Sequence, residues 1–362
     1  MSKKNASQEK LIDSSIDKRA LDIIRRGQNR EPVNKEECVF MMGFDPCSSE
    51  ISLARDVANH LVRKTTGNSA VISSQIGVML NPCPADCKFC NFGISQSTRE
   101  PFVMDDDEFR KKVKEITEYG DVRSMNLMTM HIFDIDEMVH KIKLMRKIVP
   151  KEFIISLNIG DVDLDTCKEF KKAGADKTYH VCRLREGTDT KLRPEARLQT
   201  MKNMMDAGLP VSTCTEPIGP EHSIEEIVDN FFQGLEAGCE TFAVMRRVAV
   251  PGTPLSVYGH ITEARLTQMA SIFSLALASQ KPLPGVNVHE PCQLGFFSGA
   301  YLLSAEYGGN PRDRSSETEK NRGMSASACR RMLFDAGFDN IIGMNGSRIK
   351  LDLQYLMRTN SL

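Results

Sequence analysis

The chain has 362 residues, 41% of them apolar, and a net charge of −1 with both signs interleaved. That suits one large domain with appendages or two small ones, and it gives no electrostatic case for nucleic acid or a membrane surface. With no apolar run long enough to span a bilayer, no apolar stretch behind the lysines of MSKKNASQEK, and eleven scattered cysteines, it reads as a chain of reduced thiols in the cytoplasm, without a disulfide scaffold.

Residues 1–65 are expected to form an N-terminal helical segment. LIDSSIDKRALDIIRRG has apolar residues at helical spacing. SSEISLARDVANHLVRKTTG opens on capping serines and stops at Gly67. Cys38 and Cys47 in this segment have no assigned role.

From residue 70 short apolar runs alternate with longer amphipathic ones. Strands are expected over 70–80, 122–130, 153–159, 177–184, 209–215, 241–250, 285–290 and 300–305. Helices are expected over 105–120, 134–149, 163–175, 194–208, 223–238 and 262–279, several opening on Asp, Ser or Thr and closing on Gly. Strands alternating with helices imply parallel pairing, hence an α/β fold with a (β/α)8 TIM-type barrel over 66–310. A doubly wound sheet is the alternative. The link between strands seven and eight is too short for a full helix, so closure is weakest there. Residues 311–362 are expected to form a polar tail, PRDRSSETEKNRG, and then a helix, SASACRRMLFDAG, packing on the barrel. Barrel active sites lie at the C-terminal strand ends.

NPCPADCKFCNFG follows the first strand and spaces Cys83, Cys87 and Cys90 as CxxxCxxC. Thiolates are the usual ligands of iron–sulfur clusters. Three cysteines this close need an irregular loop to reach one cluster, and Pro82, Pro84 and Gly93 favour one. Three protein ligands leave one iron of a 4Fe–4S cube open. Structural zinc is the alternative, but it normally takes four ligands, and no second CxxC or HxxxH lies nearby.

On these residues the chain resembles the radical S-adenosylmethionine (SAM) superfamily, in its biotin-synthase-like branch, from about Leu53 to Asn310. CPADCKFC, with Asp86, Lys88 and Phe89, is similar to that branch's cluster loop. RLQTMKNMMDAGLPV, VAVPGTPL and GAYLLSAEYG resemble three later landmarks in the same order. The resemblance implies that the amino and carboxylate groups of SAM chelate the open iron. One electron from the cluster then breaks a carbon–sulfur bond, releasing methionine and a 5′-deoxyadenosyl radical that abstracts hydrogen from a small-molecule or carrier-bound substrate. A reductase, flavodoxin or ferredoxin is implied as electron donor. By position, Arg185, Glu186 and Arg197 are the implied contacts to the ribose, amino acid and carboxylate parts of SAM, and Val248 and Ala249 to its adenine. Arg183, Arg185 and Arg197 also read as solvated charges.

The resemblance departs at a second cluster. Biotin synthase holds a sulfur-donating 2Fe–2S centre on three cysteines and an arginine, and the matching positions read Met125, Ser156, Ser212 and His289. That argues against biotin as the product. Cys182, Cys214 and Cys292, with His289 and Glu290, fall near strand ends and are candidates for a different auxiliary cluster or for substrate contact. An auxiliary cluster would suit sulfur insertion, as in biotin-synthase-like lipoyl synthases, and sulfur insertion in cofactor biosynthesis is the leading specific expectation. Without one, the expectation is rearrangement or fragmentation of an amino-acid-like substrate, as in methylornithine synthase or the radical hydrogenase maturases. Cys167 and Cys239 fall on helical stretches and read as structural. The stretch TEPIGPEH (215–222) is distinctive and unassigned.

Overall fold

The computed structural model describes residues 16–283, 285–308 and 324–362. The start of the first expected helix and the segment PRDRSSETEKNRG lie outside them. Three N-terminal helices, α1 (Lys18–Gln28), α2 (Lys35–Met42) and α3 (Ser49–Thr66), precede the sheet. The Asp17 carboxylate accepts from the Arg19 and Ala20 amides at 2.8 and 3.0 Å and starts α1. Ser48 caps α3, and Gly67 ends it in the left-handed region at φ 61°, as the sequence reading expects. The sequence reading leaves α2 out. It is only eight residues long, and a capping box between Asn34 and Glu37 sets its start.

Eight parallel strands follow. They are β1 (Ser69–Leu80), β3 (Val122–Thr129), β4 (Ile154–Asn158), β5 (Lys177–Tyr179), β6 (Val211–Ile218), β7 (Thr241–Arg246), β8 (Val286–His289) and β9 (Leu302–Tyr307). A short strand, β2 (Phe102–Val103), pairs antiparallel with the end of β1. The hydrogen-bonded order is β9, β1, β3, β4, β5, β6, β7, β8. Helices α4 (Asp106–Thr117), α5 (Ile135–Arg146), α6 (Leu164–Ala173), α7 (Pro194–Asp206), α8 (Ile224–Glu236) and α9 (Glu263–Ala276) link successive strands from β2 to β8. The sheet curls into an α/β barrel, and the expected barrel architecture holds.

Strand alternation divides the residues. Ile72, Ile76, Met125, Leu127, Ile155 and Leu157 are fully buried in the main apolar core, against the helices. Their neighbours face the barrel axis. Two strands stop well short of their expected ends. β5 leaves regular pairing after Tyr179, although the His180 amide still donates to Ser212 O and the Leu184 amide to Glu216 O. β7 stops at Arg246 because Arg247 turns away to pair with Glu221.

The barrel does not close by a ladder between β8 and β9. Only the short helix α10 (Gln293–Phe296) lies between them. The Asn287 side-chain oxygen accepts from the Tyr301 and Leu302 amides at 3.3 and 3.0 Å. One side chain thus satisfies backbone donors that a neighbouring strand would otherwise take. The C-terminal part adds α11 (Ala326–Asp335), β10 (Asn340–Ile342), β11 (Arg348–Lys350) and α12 (Leu353–Arg358). β10 runs parallel to the start of β1, outside the barrel order. A buried pair, Arg330 Nε to Asp121 at 2.5 Å, ties α11 to the barrel. No helix among the described residues is long and apolar enough to cross a membrane.

Candidate active site

The cysteine loop leaves β1 and folds back over the barrel mouth. The Cys83 amide donates to Phe92 O, and the Ile94 amide donates to Cys83 O, so the loop closes on itself. Asp86 sits in the left-handed region at φ 47°. Its carboxylate accepts from the Ser95 amide and hydroxyl at 2.9 and 2.6 Å and pairs with Lys191 at 2.7 Å. The Lys191 hydrogen bond, then those from Ser95, hold the Asp86 pKa down at about 2. A Cβ at Gly93 would meet the ends of the Gln96 and Asp86 side chains at 2.7 and 3.0 Å and push them from the loop. The loop is also tied to the barrel: the Lys88 amide donates to Asp189 O, and the Leu255 amide donates to Lys88 O. The GTPL segment therefore helps hold the cysteine loop.

Cys83, Cys87 and Cys90 all line one cavity of about 220 Å³ at the C-terminal ends of the strands. The Phe92 amide points at the Cys90 sulfur, 3.4 Å away. Burial raises the Cys90 thiol to about 11 and pushes Cys87 higher still. Among the described residues no three His, Cys, Asp or Glu side chains converge as a single-ion site requires. Thiolates that each bind a different iron sit further apart than ligands sharing one ion. The donor set therefore fits a cluster better than zinc.

Residues 78–232 match the Radical SAM superfamily. The chain carries a radical SAM domain. It is an enzyme of the kind that uses a 4Fe–4S cluster and SAM, needs an electron donor and acts on small substrates. It is 22% identical over 253 residues to biotin synthase of Aquifex aeolicus (strain VF5), covering 66% of this chain and 74% of that protein. Its fold is shared by HydG, a maturase of the [FeFe]-hydrogenase, with a TM-score of 0.75 at 18% identity over 94% of this chain and 79% of that one. Methylornithine synthase (PylB) superposes with a TM-score of 0.73 at 12% identity, over 87% and 96% of the two chains. These similarities are consistent with a biotin-synthase-like radical SAM branch.

Of the residues singled out as SAM contacts, Arg197 lines the cavity. Its NH1 reaches Asp161 at 2.7 Å, and its Nε donates to Val181 O at 3.0 Å. Arg185 turns to the rim instead. Its Nε and NH2 bind Glu226 at 2.7 and 3.0 Å, and NH2 also donates to Glu221 O. Glu186 lies buried behind the wall, accepting from Thr190 Oγ1 at 2.5 Å and from the Arg183 amide at 2.9 Å. Val248 and Ala249 are half-buried just after β7. Arg183 reaches the cavity, with its Nε 3.2 Å from Glu216 Oε1. The Tyr179 hydroxyl donates to the other Glu216 oxygen at 2.6 Å. The unassigned TEPIGPEH stretch thus delivers Glu216 to the cavity wall, and its Glu221 pairs with the buried Arg247.

Cys182, Cys214 and Cys292 are buried, and none lines the cavity. Cys182 and Cys292 belong to the apolar core, and the Cys214 thiol is directed at Thr215 O. Cys214 also packs beside Tyr179 and Glu216 of the cavity wall. Met125, taken above as matching a second-cluster position, packs in the core, while Asn126 beside it lines the cavity. His289 lines the cavity, and Glu290 follows it in the left-handed region at φ 64°. Both carry partners within the chain.

Behind Arg197 lies His180, fully buried, with Nε2 3.2 Å from Asp161 Oδ1 but off the hydrogen-bond direction. Burial first, and then the Arg197 charge, pushes the His180 pKa down to about 3. An unfolded histidine binds a proton below about pH 6.5, whereas folded His180 stays neutral until about 3. Stability therefore falls as the pH drops through this window. Urea unfolding between pH 7.5 and 5 is expected to show that wild type loses stability faster than His180→Phe, by up to roughly 1.4 kcal/mol per pH unit below about 6.5. Parallel pH profiles would exclude a neutral buried His180.

Proposed function

We propose that this enzyme holds its 4Fe–4S cluster on Cys83, Cys87 and Cys90 and directs SAM chemistry at a small, polar, amino-acid-like substrate, whose carbon skeleton is rearranged or fragmented. The observation that carries this reading is one cavity lined by all three thiols and by a polar barrel wall with Tyr179, Arg183 and Glu216. A 4Fe–4S cluster held by Cys83, Cys87 and Cys90 would supply the one-electron reductive cleavage of SAM, and with it hydrogen abstraction from the substrate. The chain's own part is to hold and to exclude. The cysteine loop, pinned by Asp86 and by the GTPL segment, covers the mouth and keeps water out. Arg197 has two nitrogens fixed by Asp161 and Val181, and its remaining NH2 is available to a carboxylate. Arg185 and Glu186 act from behind by fixing the loop that carries Arg183, and the backbone at Val248 and Ala249 is offered to adenine.

Sulfur insertion would need a second, sulfur-bearing cluster. Cys182 and Cys292 lie in the apolar core and do not line the cavity that holds the cluster thiols, which favours rearrangement or fragmentation. After anaerobic reconstitution, iron and sulfide are expected near four each per chain. About six to eight irons, with a second reducible centre seen by electron paramagnetic resonance, would return the assignment to sulfur insertion.

A further inference from the structure

Barrel interiors are normally packed with Val, Ile and Leu. The axis-facing positions of three adjacent strands here carry a different repeat. Ser73-x-Gln75 on β1, Ser124-x-Asn126 on β3 and Ser156-x-Asn158 on β4 each place a serine two residues before a carboxamide. The ladder sets Ser73 beside Ser124 and Gln75 beside Asn126. It also sets Asn126 beside Ser156. On the other side of β1, Ser304 lies beside Ser73 and Glu306 beside Gln75. These small side chains leave the axis unfilled, and Ser73, Gln75, Asn126, Asn158 and Ser304 all line the cavity that holds the cysteines.

The hydrogen bonds within this wall are incomplete. Ser73 and Ser124 hydroxyls pair at 2.8 Å, and Asn158 Nδ2 donates to Gln75 Oε1 at 2.8 Å. That pair uses one Asn158 N–H and the Gln75 oxygen, and both side chains line the cavity. Asn126 lines the cavity beside them. The Ser304 hydroxyl is buried with no partner. Glu306, at the end of the row, is already engaged within the chain. Polar groups left open in an enclosed wall are costly unless a ligand completes them.

We propose that Gln75, Asn126, Asn158 and Ser304 form a recognition wall for an uncharged group of the substrate that both donates and accepts hydrogen bonds, a carboxamide above all. The substrate's charged end belongs with Arg183 and Glu216, so this inference rests on the reading under Proposed function. It excludes an acyl chain, which would leave the amides unpaired. It also disfavours a charged distal end, because no arginine or lysine belongs to the wall and Glu306 is engaged.

The test uses anaerobically reconstituted protein with SAM bound and four isolated probes, L-glutamine, L-glutamate, L-lysine and L-norleucine, measured by calorimetry. L-Glutamine is expected to bind at least about tenfold more tightly than the other three, since each of those leaves amides unmatched. In Asn126→Leu and in Asn158→Leu the preference is expected to fall below about threefold. Iron and sulfide content of each variant serves as the check on folding, and the wild-type ranking needs no variant. A charged or apolar probe binding as tightly as glutamine overturns the proposal, as does the absence of binding by all four. Failure of the wild type to cleave SAM would count separately, against the cluster assignment rather than the wall.

Discussion

Cys83/Cys87/Cys90→Ala protein is expected to release no 5′-deoxyadenosine from SAM under dithionite, where reconstituted wild type releases it readily. The effect is all-or-none because the three thiols are the cluster's only protein ligands in this reading, and no other cysteine lines the cavity. Each single substitution is expected to cost nearly as much as the triple, since a cluster held by two thiolates is lost on purification. The fold should survive. Cys83 and Cys90 are only partly buried, and the loop is held by Asp86, Lys191 and Ser95 rather than by its sulfurs. Circular dichroism and thermal unfolding of the cluster-free wild type and of the triple variant should therefore agree within a few degrees. Liquid chromatography of the nucleoside product decides the point. A triple variant that still makes 5′-deoxyadenosine would move the cluster elsewhere.

The barrel was legible because its strands and helices obey separate local rules. The β1 run from Ala70 to Leu80 is mostly apolar and ends in a proline-rich loop, and the helices open on Asp105, Asp134, Asp163, Ser223 and Thr262, which cap them in the structure. The short elements were not legible. β10 and β11 are three residues each, too short for any period, and pairing of β10 with β1 and of β11 with β10 creates them. The end of β5 was overestimated because residues 180–184 keep isolated hydrogen bonds to β6 without a continuous ladder.

The site was legible only where the chemistry is local in sequence. Cys83, Cys87 and Cys90 lie in one loop and announce themselves. Arg185 and Arg197 looked alike from sequence, yet Arg185 is captured by Glu226 on α8 while Arg197 is buried against Asp161. That difference depends on the side chains of other elements. The serine–carboxamide wall was in plain view, as Ser-x-Gln and Ser-x-Asn on three apolar strands. Reading it requires knowing which face of each strand turns inward. A one-residue slip exchanges Met125 for Asn126 and hides the wall in the core.

Arg183 carries the second large expectation. Its guanidinium lies 3.2 Å from Glu216 and 3.9 Å from Glu186, and both carboxylates are buried. Burial disfavours its charge, but the two carboxylates outweigh that and raise its pKa above the ordinary arginine value. Arg183→Met would leave the buried Glu216 without its cation and Glu186 with Arg197 alone, at 3.9 Å. We expect a loss of about 3–5 kcal/mol of stability in urea, the scale for breaking a buried ion pair from one side. A fall of at least roughly a hundredfold in substrate-dependent 5′-deoxyadenosine formation should accompany it, since a charged donor at a reacting site contributes on that order. Arg183→Lys should recover little, because an ammonium on a flexible stem cannot bridge both carboxylates as the planar fork does. The diagnostic measurement is the double variant Arg183→Met with Glu216→Gln. Removing one unpaired carboxylate should restore stability by at least about 1 kcal/mol relative to Arg183→Met alone, while activity stays low. Strictly additive losses would mean that Arg183 and Glu216 act independently. The polar mouth would then have to be explained without their pairing.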